Sequence, residues 1–408
     1  MGVRFSIVYP TRHRPAFVRQ ALRILEVQKY DDFEVVVSDN YVDPALSSEQ
    51  ICRDSGLANL RYVRPPEPVG MVENWNYALQ FATGEYVGYL TDKMFVLPGA
   101  LENVARAIDA AGSPEIVSWT SDAYNPTSYN DYFGDGVYVP VSPAVRSGLY
   151  RSFSPAAALG LRGGAAVSRG EQSPADYCRG KLVFGAYRRD LVERIVHRYG
   201  ALFHDINPDY TSMILGLSEA HDAIELGMSC VVSVNTDISN GQLSDTDDAA
   251  ALRFLDSLGG GAERILPTLL VPGLYVSLHN WVAHDFLTLK TKFNLSFEFD
   301  VANWLVYCSE DIHRQGRRWS DPRVETEQKG ILAAAFASLD PVVLATVQAR
   351  IAARGANPAR SASARSAWRS LRRLLGRARR RLTPLRWAKS ATMPATSIQA
   401  AVERMTVR

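Results

Sequence analysis

Through the first 120 residues, short apolar runs alternate with amphipathic stretches. Phe5–Tyr9 (FSIVY), Phe33–Ser38 (FEVVVS), Tyr86–Leu90 (YVGYL) and Ile116–Trp119 (IVSW) are rich in β-branched and aromatic residues. Such near-continuous runs are expected of strands buried on both faces. Between them, Pro15–Gln28 sets Phe17, Ala21, Ile24, Leu25 and Gln28 at helical spacing, with Pro15 suited to a first turn. Val72–Ala82 is a second helical pattern, ending before Gly84, and Leu97–Ala111 follows the third strong strand. The alternation predicts a parallel sheet with right-handed crossovers. Ligands of such sheets sit beyond the carboxyl ends of the strands. That rule selects Pro10–Arg14, Asp39-Asn40 and Thr91-Asp92-Lys93.

The pattern then weakens. Tyr124–Arg179 is rich in Gly, Pro, Ser and Tyr and reads as a flap over a site or an irregular connection. Regularity returns with an apolar strand leading into a helix at Lys181–Tyr199, a further unit at His204–Leu217 and a strand at Cys230–Val234. From about residue 248 to 340 the pattern is helical, with Trp281, Phe286, Phe293, Phe297, Phe299 and Trp304 as apolar supply. The expected organisation is an α/β domain over residues 1–240, a helical extension over 241–340 and a basic tail over 341–408.

Composition narrows the class. With 408 residues, 47% of them hydrophobic and 22% charged, the chain is neither a disordered polymer nor a disulfide scaffold. No apolar run reaches the roughly 18–20 residues that span a bilayer, and the start, MGVRFSIVYP, shows no cleavable signal pattern. Cys52, Cys178, Cys230 and Cys308 are far apart, which argues against a zinc site and for free thiols. The net charge of +2 hides an asymmetry, because residues 341–408 hold 15 Lys/Arg and one acid, Glu403. Within that tail, Trp368, Leu371, Leu375, Ala378 and Leu382 form an apolar stripe among arginines over residues 366–383. A basic amphipathic helix of this kind is expected to lie on an anionic membrane surface. Nucleic acid is not expected as a partner, since the body is acidic. These expectations place the chain in the cytoplasm, peripherally on the inner face of the cell membrane.

Five segments in order, FSIVYPTRHRP, FEVVVSDN, GMVENWNYALQFATGEYVGYLTDKMFVLPGAL, KLVFGAYRRDLVERI and INPDYTSMI, carry a resemblance. Over roughly residues 4–240 the chain resembles the family 2 glycosyltransferases, inverting enzymes of the GT-A fold. The resemblance implies a Rossmann-like, mostly parallel sheet with a C-terminal helical extension. It implies hexosyl transfer from a nucleotide-diphospho-sugar, a UDP-sugar first, to a glycan or lipid-linked acceptor hydroxyl during cell-surface polysaccharide or glycolipid synthesis. A catalytically inactive nucleotide-sugar-binding relative and, more distantly, a nucleotidyltransferase are the competing readings.

Carried onto this sequence, the resemblance gives Asp39 the nucleobase-binding carboxylate, and Pro10, Thr11 and Arg14 the loop around the nucleoside. Asn74 and Asn76 fall on the nucleotide side, with helix capping and packing as their alternative roles. The family's Asp-x-Asp, whose last acid holds Mg2+ or Mn2+ on the diphosphate, falls on Thr91 and Lys93, with Asp92 between them. Asp92 keeps a place near ribose, sugar or metal. A protonated lysine cannot ligate a cation, so two readings of Lys93 stand open. Its ammonium replaces part of the metal's charge, or it points away and Asp92 holds the ion with water. Asp209 in Asn-Pro-Asp-Tyr aligns with the general base, an ordinary helix-start acid being the alternative. Asp205 is a runner-up for that role, and so is Asp122, which is also a candidate sugar or acceptor contact.

Overall fold

The computed structural model describes residues 2–141, 149–165, 173–314, 316–355 and 392–405. The amphipathic stretch 366–383, and with it the proposed membrane contact, lies outside the described residues. Among the described residues, eleven strands join one sheet: β1 (Phe5–Thr11), β2 (Phe33–Asp39), β3 (Leu60–Val63), β4 (Tyr86–Tyr89), β5 (Met94–Val96), β6 (Ile116–Ser128), β7 (Asp131–Val139), β8 (Tyr150–Ser152), β9 (Gly185–Arg188), β10 (Ala223–Val234) and β11 (Met393–Ala395). The order is β11-β7-β6-β9-β4-β1-β2-β3, with β10 pairing β5, β6 and β8.

The leading half, β3-β2-β1-β4, is all parallel, and β10 pairs β6 in parallel as well. β9 runs antiparallel between β4 and β6. The expected α/β fold is present. Its helices before β10 are α1 (Pro15–Glu26), α2 (Glu49–Arg53), α3 (Met71–Leu79), α4 (Ala100–Ala111), α5 (Pro155–Gly163), α6 (Pro174–Cys178), α7 (Arg189–Tyr199) and α8 (Pro208–Glu219).

The period-2 rule divides the core between the two faces of the sheet. Ile7, Tyr9, Val35 and Val37 pack with α1 and α4, while Val8, Val36, Val87 and Tyr89 pack with α3, α7 and α8. All seven residues of β1 and of β2 are buried, as the apolar runs predict. Pro10 is tolerated at the exit of β1 because its missing N–H faces β4, whose pairing has ended at Val8–Tyr89. Gly84 lies so close to β1 that an added Cβ would sit 2.6 Å from the Ser6 nitrogen and 2.7 Å from the Phe5 carbonyl carbon.

After β10 come α9 (Asn240–Thr246), α10 (Asp248–Asp256), α11 (Gly261–Ile265), α12 (Leu278–Phe293), α13 (Val301–Ile312), α14 (Pro322–Ala337) and α15 (Pro341–Gly355). Phe286 and Leu289 of α12 join the α3/α7/α8 face, while α13, α14 and α15 enclose a separate apolar cluster with Val347 fully buried. None of the described helices is long and apolar enough to cross a membrane.

Two regions differ from the sequence reading. Tyr124–Arg179 is no plain loop, since it contains the β6–β7 hairpin, β8, α5 and α6. Pro126, Gly134 and Gly136 mask the strand pattern there. Gly136 is small for a reason: a Cβ would come within 2.5 Å of the Tyr124 ring. The second difference is the tail. Residues 341–355 form α15, and β11 returns to pair with β7, followed by α16 (Ile398–Met405). Ile398, Ala401 and Val402 are buried in the same core as α1 and α4.

Candidate functional site

The exits of β2, β1 and β4 are neighbours by register, with Thr11 opposite Asp39 and Val8 opposite Tyr89. Asn40 locks two of them, its backbone N–H donating to the Thr11 carbonyl at 2.9 Å. Its side chain clasps Val69 in both directions, Nδ2 donating to the Val69 carbonyl at 2.7 Å and Oδ1 accepting from Val69 N at 3.0 Å.

Asp39 is fully buried. Its Oδ2 accepts from Ser48 N at 2.6 Å and from the Tyr62 hydroxyl at 3.3 Å. Oδ1 has no hydrogen-bond partner among the described residues. Burial raises its pKa above the ordinary carboxylate value, with the Ser48 and Tyr62 bonds working against the shift. An unsatisfied buried acceptor is costly.

Asp92 lies at the exit of β4 and is buried. Both of its oxygens are engaged: Oδ1 by Arg14 Nη1 at 3.0 Å and Oδ2 by Thr11 Oγ1 at 3.1 Å. Arg14 Nη2 also donates to the Ile238 carbonyl at 2.8 Å, and Lys93 Nζ donates to Ser239 Oγ at 2.8 Å. The segment that leaves β10 therefore comes back over the strand exits. No group of three or more His, Cys, Asp or Glu side chains gathers as a metal site among the described residues. A divalent ion takes several oxygen ligands and favours carboxylates. This corner offers the Asp92 carboxylate, paired to the Arg14 guanidinium and next to the Lys93 ammonium, with Asp237 bonded to the Tyr132 hydroxyl on the segment that crosses it.

β9 is antiparallel to β4, so the chain entering it, Lys181–Phe184, lies at the same carboxyl edge as Asp92. Lys181 is completely buried, and its Nζ meets Asp209 Oδ2 at 3.2 Å. It also sits 4.1 Å from the Tyr177 ring centre and 3.7 Å from that of Tyr210. Burial alone would lower the Lys181 pKa; the two tyrosines and the Asp209 carboxylate outweigh it and hold the ammonium above its ordinary value. Asp209 occupies the first turn of α8, behind Asn207 and Pro208, with its side chain 29% exposed. The loop before it is held by Asp285 of α12, fully buried, which accepts from Ile206 N at 3.2 Å, Asn207 N at 3.1 Å and Asn207 Nδ2 at 2.7 Å. Asp205 adopts φ 42° and faces Arg264 at 3.5 Å.

The other expected residues have scaffold contacts. Asn74 Oδ1 accepts from Ser38 Oγ at 2.7 Å, tying α3 to β2. Asn76 exchanges hydrogen bonds with the Phe203 backbone, its Nδ2 donating at 2.9 Å and its Oδ1 accepting at 3.2 Å. Asp122 is buried, its Oδ2 accepting from the Tyr138 hydroxyl at 2.5 Å and its Oδ1 from Val141 N at 2.8 Å. Pro10, Thr11, Arg14, Asp39, Asp92 and Lys93 come together at one edge. Sequence reasoning missed Ser48, Tyr62, Lys181, Ile238, Ser239 and Asp285. Only Lys181 left a signal, a lone cation before the apolar LVF run.

Residues 6–142 match the family model described as Glycosyl transferase family 2. No curated protein sequence matches. Among solved structures, S. aureus TarS is similar at TM-score 0.45 and 15% identity, over 85% of this chain and 55% of that one, so the chain spans about half of its length. S. aureus TarS 1-349 in complex with UDP-GlcNAc gives TM-score 0.42 and 14% identity, over 87% of this chain and 92% of that one. The mannosyltransferase PcManGT from Pyrobaculum calidifontis, in complex with GDP-Man and Mn2+, gives TM-score 0.39 and 18% identity, over 82% and 86%.

Proposed function

We propose that this glycosyltransferase, whose residues 6–142 match glycosyl transferase family 2, moves one sugar with inversion from a nucleoside-diphosphate sugar to an acceptor hydroxyl. One observation carries the reading: the exits of β1, β2 and β4 are bonded into a single corner that presents the buried, unpartnered Asp39 Oδ1. A nucleobase N–H satisfies that oxygen, which turns a cost of the empty fold into affinity for the ligand. Uracil, with a ring N–H flanked by two carbonyls, is the simplest base of this kind, so a UDP-sugar is the first donor to try.

Asp209 is the general base of the proposal. The acceptor oxygen forms a bond to the anomeric carbon while the bond from that carbon to the diphosphate oxygen breaks. The acceptor proton passes to Asp209, and the nucleoside diphosphate leaves on the opposite face. An acid in the first turn of a helix meets a favourable field for its anionic form, and the buried Lys181 supplies its countercharge. Asp285, on the helical extension, fixes the loop that carries this acid. The acceptor in this reading is a glycan or a lipid-linked sugar, and cytoplasmic work beside an anionic membrane suits the basic tail.

The test is a panel of UDP- and GDP-sugars incubated with purified protein, read as nucleoside diphosphate release and as label transferred to glycan or lipid-linked acceptors. Release from one donor, abolished in Asp209→Asn with binding retained, supports the assignment. A protein that binds a donor but turns over none is the inactive relative instead.

A further inference from the structure

We infer that the helical extension mounts the base loop, with Asp285 of α12 as a positioning residue that sets the place of the Asp209 carboxylate. The inference rests on the general-base reading above and gives the extension its part in the reaction.

Asp209 lies at a seam between two parts of the fold. From Met213 onward α8 packs in the core shared with β1, β2 and α7. The residues that lead into the helix belong elsewhere. Ile206 is fully buried in an apolar cluster whose other buried members come from the extension, Leu255, Ile265 and Trp281 among them. Asp285 accepts from the backbone N–H groups of Ile206 and Asn207 and from the Asn207 amide. On the other side of the loop, Arg264 of α11 faces Asp205 at 3.5 Å. Its Nε donates to the Gly259 carbonyl at 2.7 Å, which ties that contact to the turn between α10 and α11.

Three local costs concentrate here. Asp205 adopts φ 42°, a left-handed conformation uncommon outside glycine. Asn207 is the N-cap of α8, yet its side chain makes no capping bond. A helix start normally gains stability from that bond, and here the amide turns to Asp285 instead. Asp285 itself is a fully buried carboxylate held by three N–H groups of the loop. Burial pushes its pKa well above the ordinary value, and the Asp205 carboxylate adds to the shift against the pull of those donors. A buried acid is costly unless its bonds are made, so this one is stable only with the loop in place. Three donors converging on two oxygens fix the chain immediately before Pro208. Proline has a fixed φ, so the placement passes to Asp209 with little slack. Strain collects where a side chain must be aimed, and the side chain aimed here is Asp209.

Nucleoside diphosphate release from the UDP- or GDP-sugar found in the donor panel, with calorimetric titration of that nucleoside diphosphate, tests the mount in Asp285→Asn and Asn207→Ser. Asparagine at 285 turns an NH2 toward at least one of the three N–H donors. Serine at 207 removes the amide bond to Asp285 and supplies a capping side chain, so the helix keeps its start. Each variant should lower kcat by about 10- to 100-fold, the usual penalty of a misplaced catalytic group, while nucleotide affinity stays within about twofold. In an Asp209→Asn background the same changes should lower the residual rate by less than about twofold, because groups that act as a unit are not additive. Thermal melting reports folding, and if Asp285→Asn does not fold, Asn207→Ser decides alone. Folded variants that keep kcat within about twofold of wild type overturn the mount and leave the general-base reading intact. So do losses that multiply in full on Asp209→Asn, or that appear equally as weakened nucleotide binding. If Asp209→Asn turns over normally, or wild type turns over no donor, the general-base reading fails and the mount fails with it.

Discussion

Asp39→Asn should strengthen the fold and weaken the function, two effects of opposite sign from one atom. Both native donors, Ser48 N and the Tyr62 hydroxyl, converge on Oδ2, so an asparagine keeping its oxygen there loses neither bond. What changes is the second position, where a buried, unpartnered carboxylate oxygen becomes an uncharged NH2. Burial raises the Asp39 pKa, so the folded state favours the protonated acid and is penalised when the group ionises. That penalty is absent below the unfolded carboxylate pKa near ~3.9 and develops as pH rises through the higher folded value. Removing it should stabilise the protein by about 1 kcal/mol at pH 7, with the gain vanishing at acid pH. Binding moves the other way. A base N–H that gave its proton to a charged oxygen now faces another donor, a loss of about 1.5–3 kcal/mol and roughly 10- to 150-fold in affinity. Chemical denaturation at several pH values, with nucleoside diphosphate titration of both proteins, reads the two effects. A variant that is less stable, or that binds nucleotide as wild type does, refutes the reasoning.

Three other outcomes follow from the geometry. Asp209→Asn should lower transfer by about 10²–10⁴-fold, the usual worth of a general base, while donor affinity measured by calorimetry stays within about twofold; normal turnover would move the role to Asp205. Lys181→Met removes the buried countercharge of Asp209 and should cost about 2 kcal/mol of stability, read as a lowered melting temperature. Gly84→Ala forces a Cβ against the backbone of Phe5 and Ser6 and should cost about 1–3 kcal/mol, checked by urea denaturation, with no change in donor specificity.

The parts of the fold that were legible in the sequence share one property, namely that local pattern and burial agree. β1, β2 and β4 are apolar runs buried on both faces, and their exits gave Thr11, Arg14, Asp39 and Asp92 by the rule for parallel sheets. The β6–β7 hairpin was illegible because Gly136 answers to Tyr124 packed across the hairpin and Gly134 to the Asp131 carboxylate, not to local strand propensity. β11 is only three residues long and separated from its partner by most of the chain. Ser239 and Asp285 belong to the candidate site only through tertiary contacts, one from the turn after β10 and one from the interior of an apolar helix. Lys93 shows both limits: the sequence marked it as a departure from the family pattern, and only the fold shows it opposite Ser239 beside Arg14.

A crystal structure of the protein soaked with the nucleoside diphosphate it binds is the most direct test. A base N–H is expected within hydrogen-bond distance of Asp39 Oδ1, with the diphosphate against Arg14 and Lys93. A nucleotide bound away from the ends of β1, β2 and β4 contradicts it.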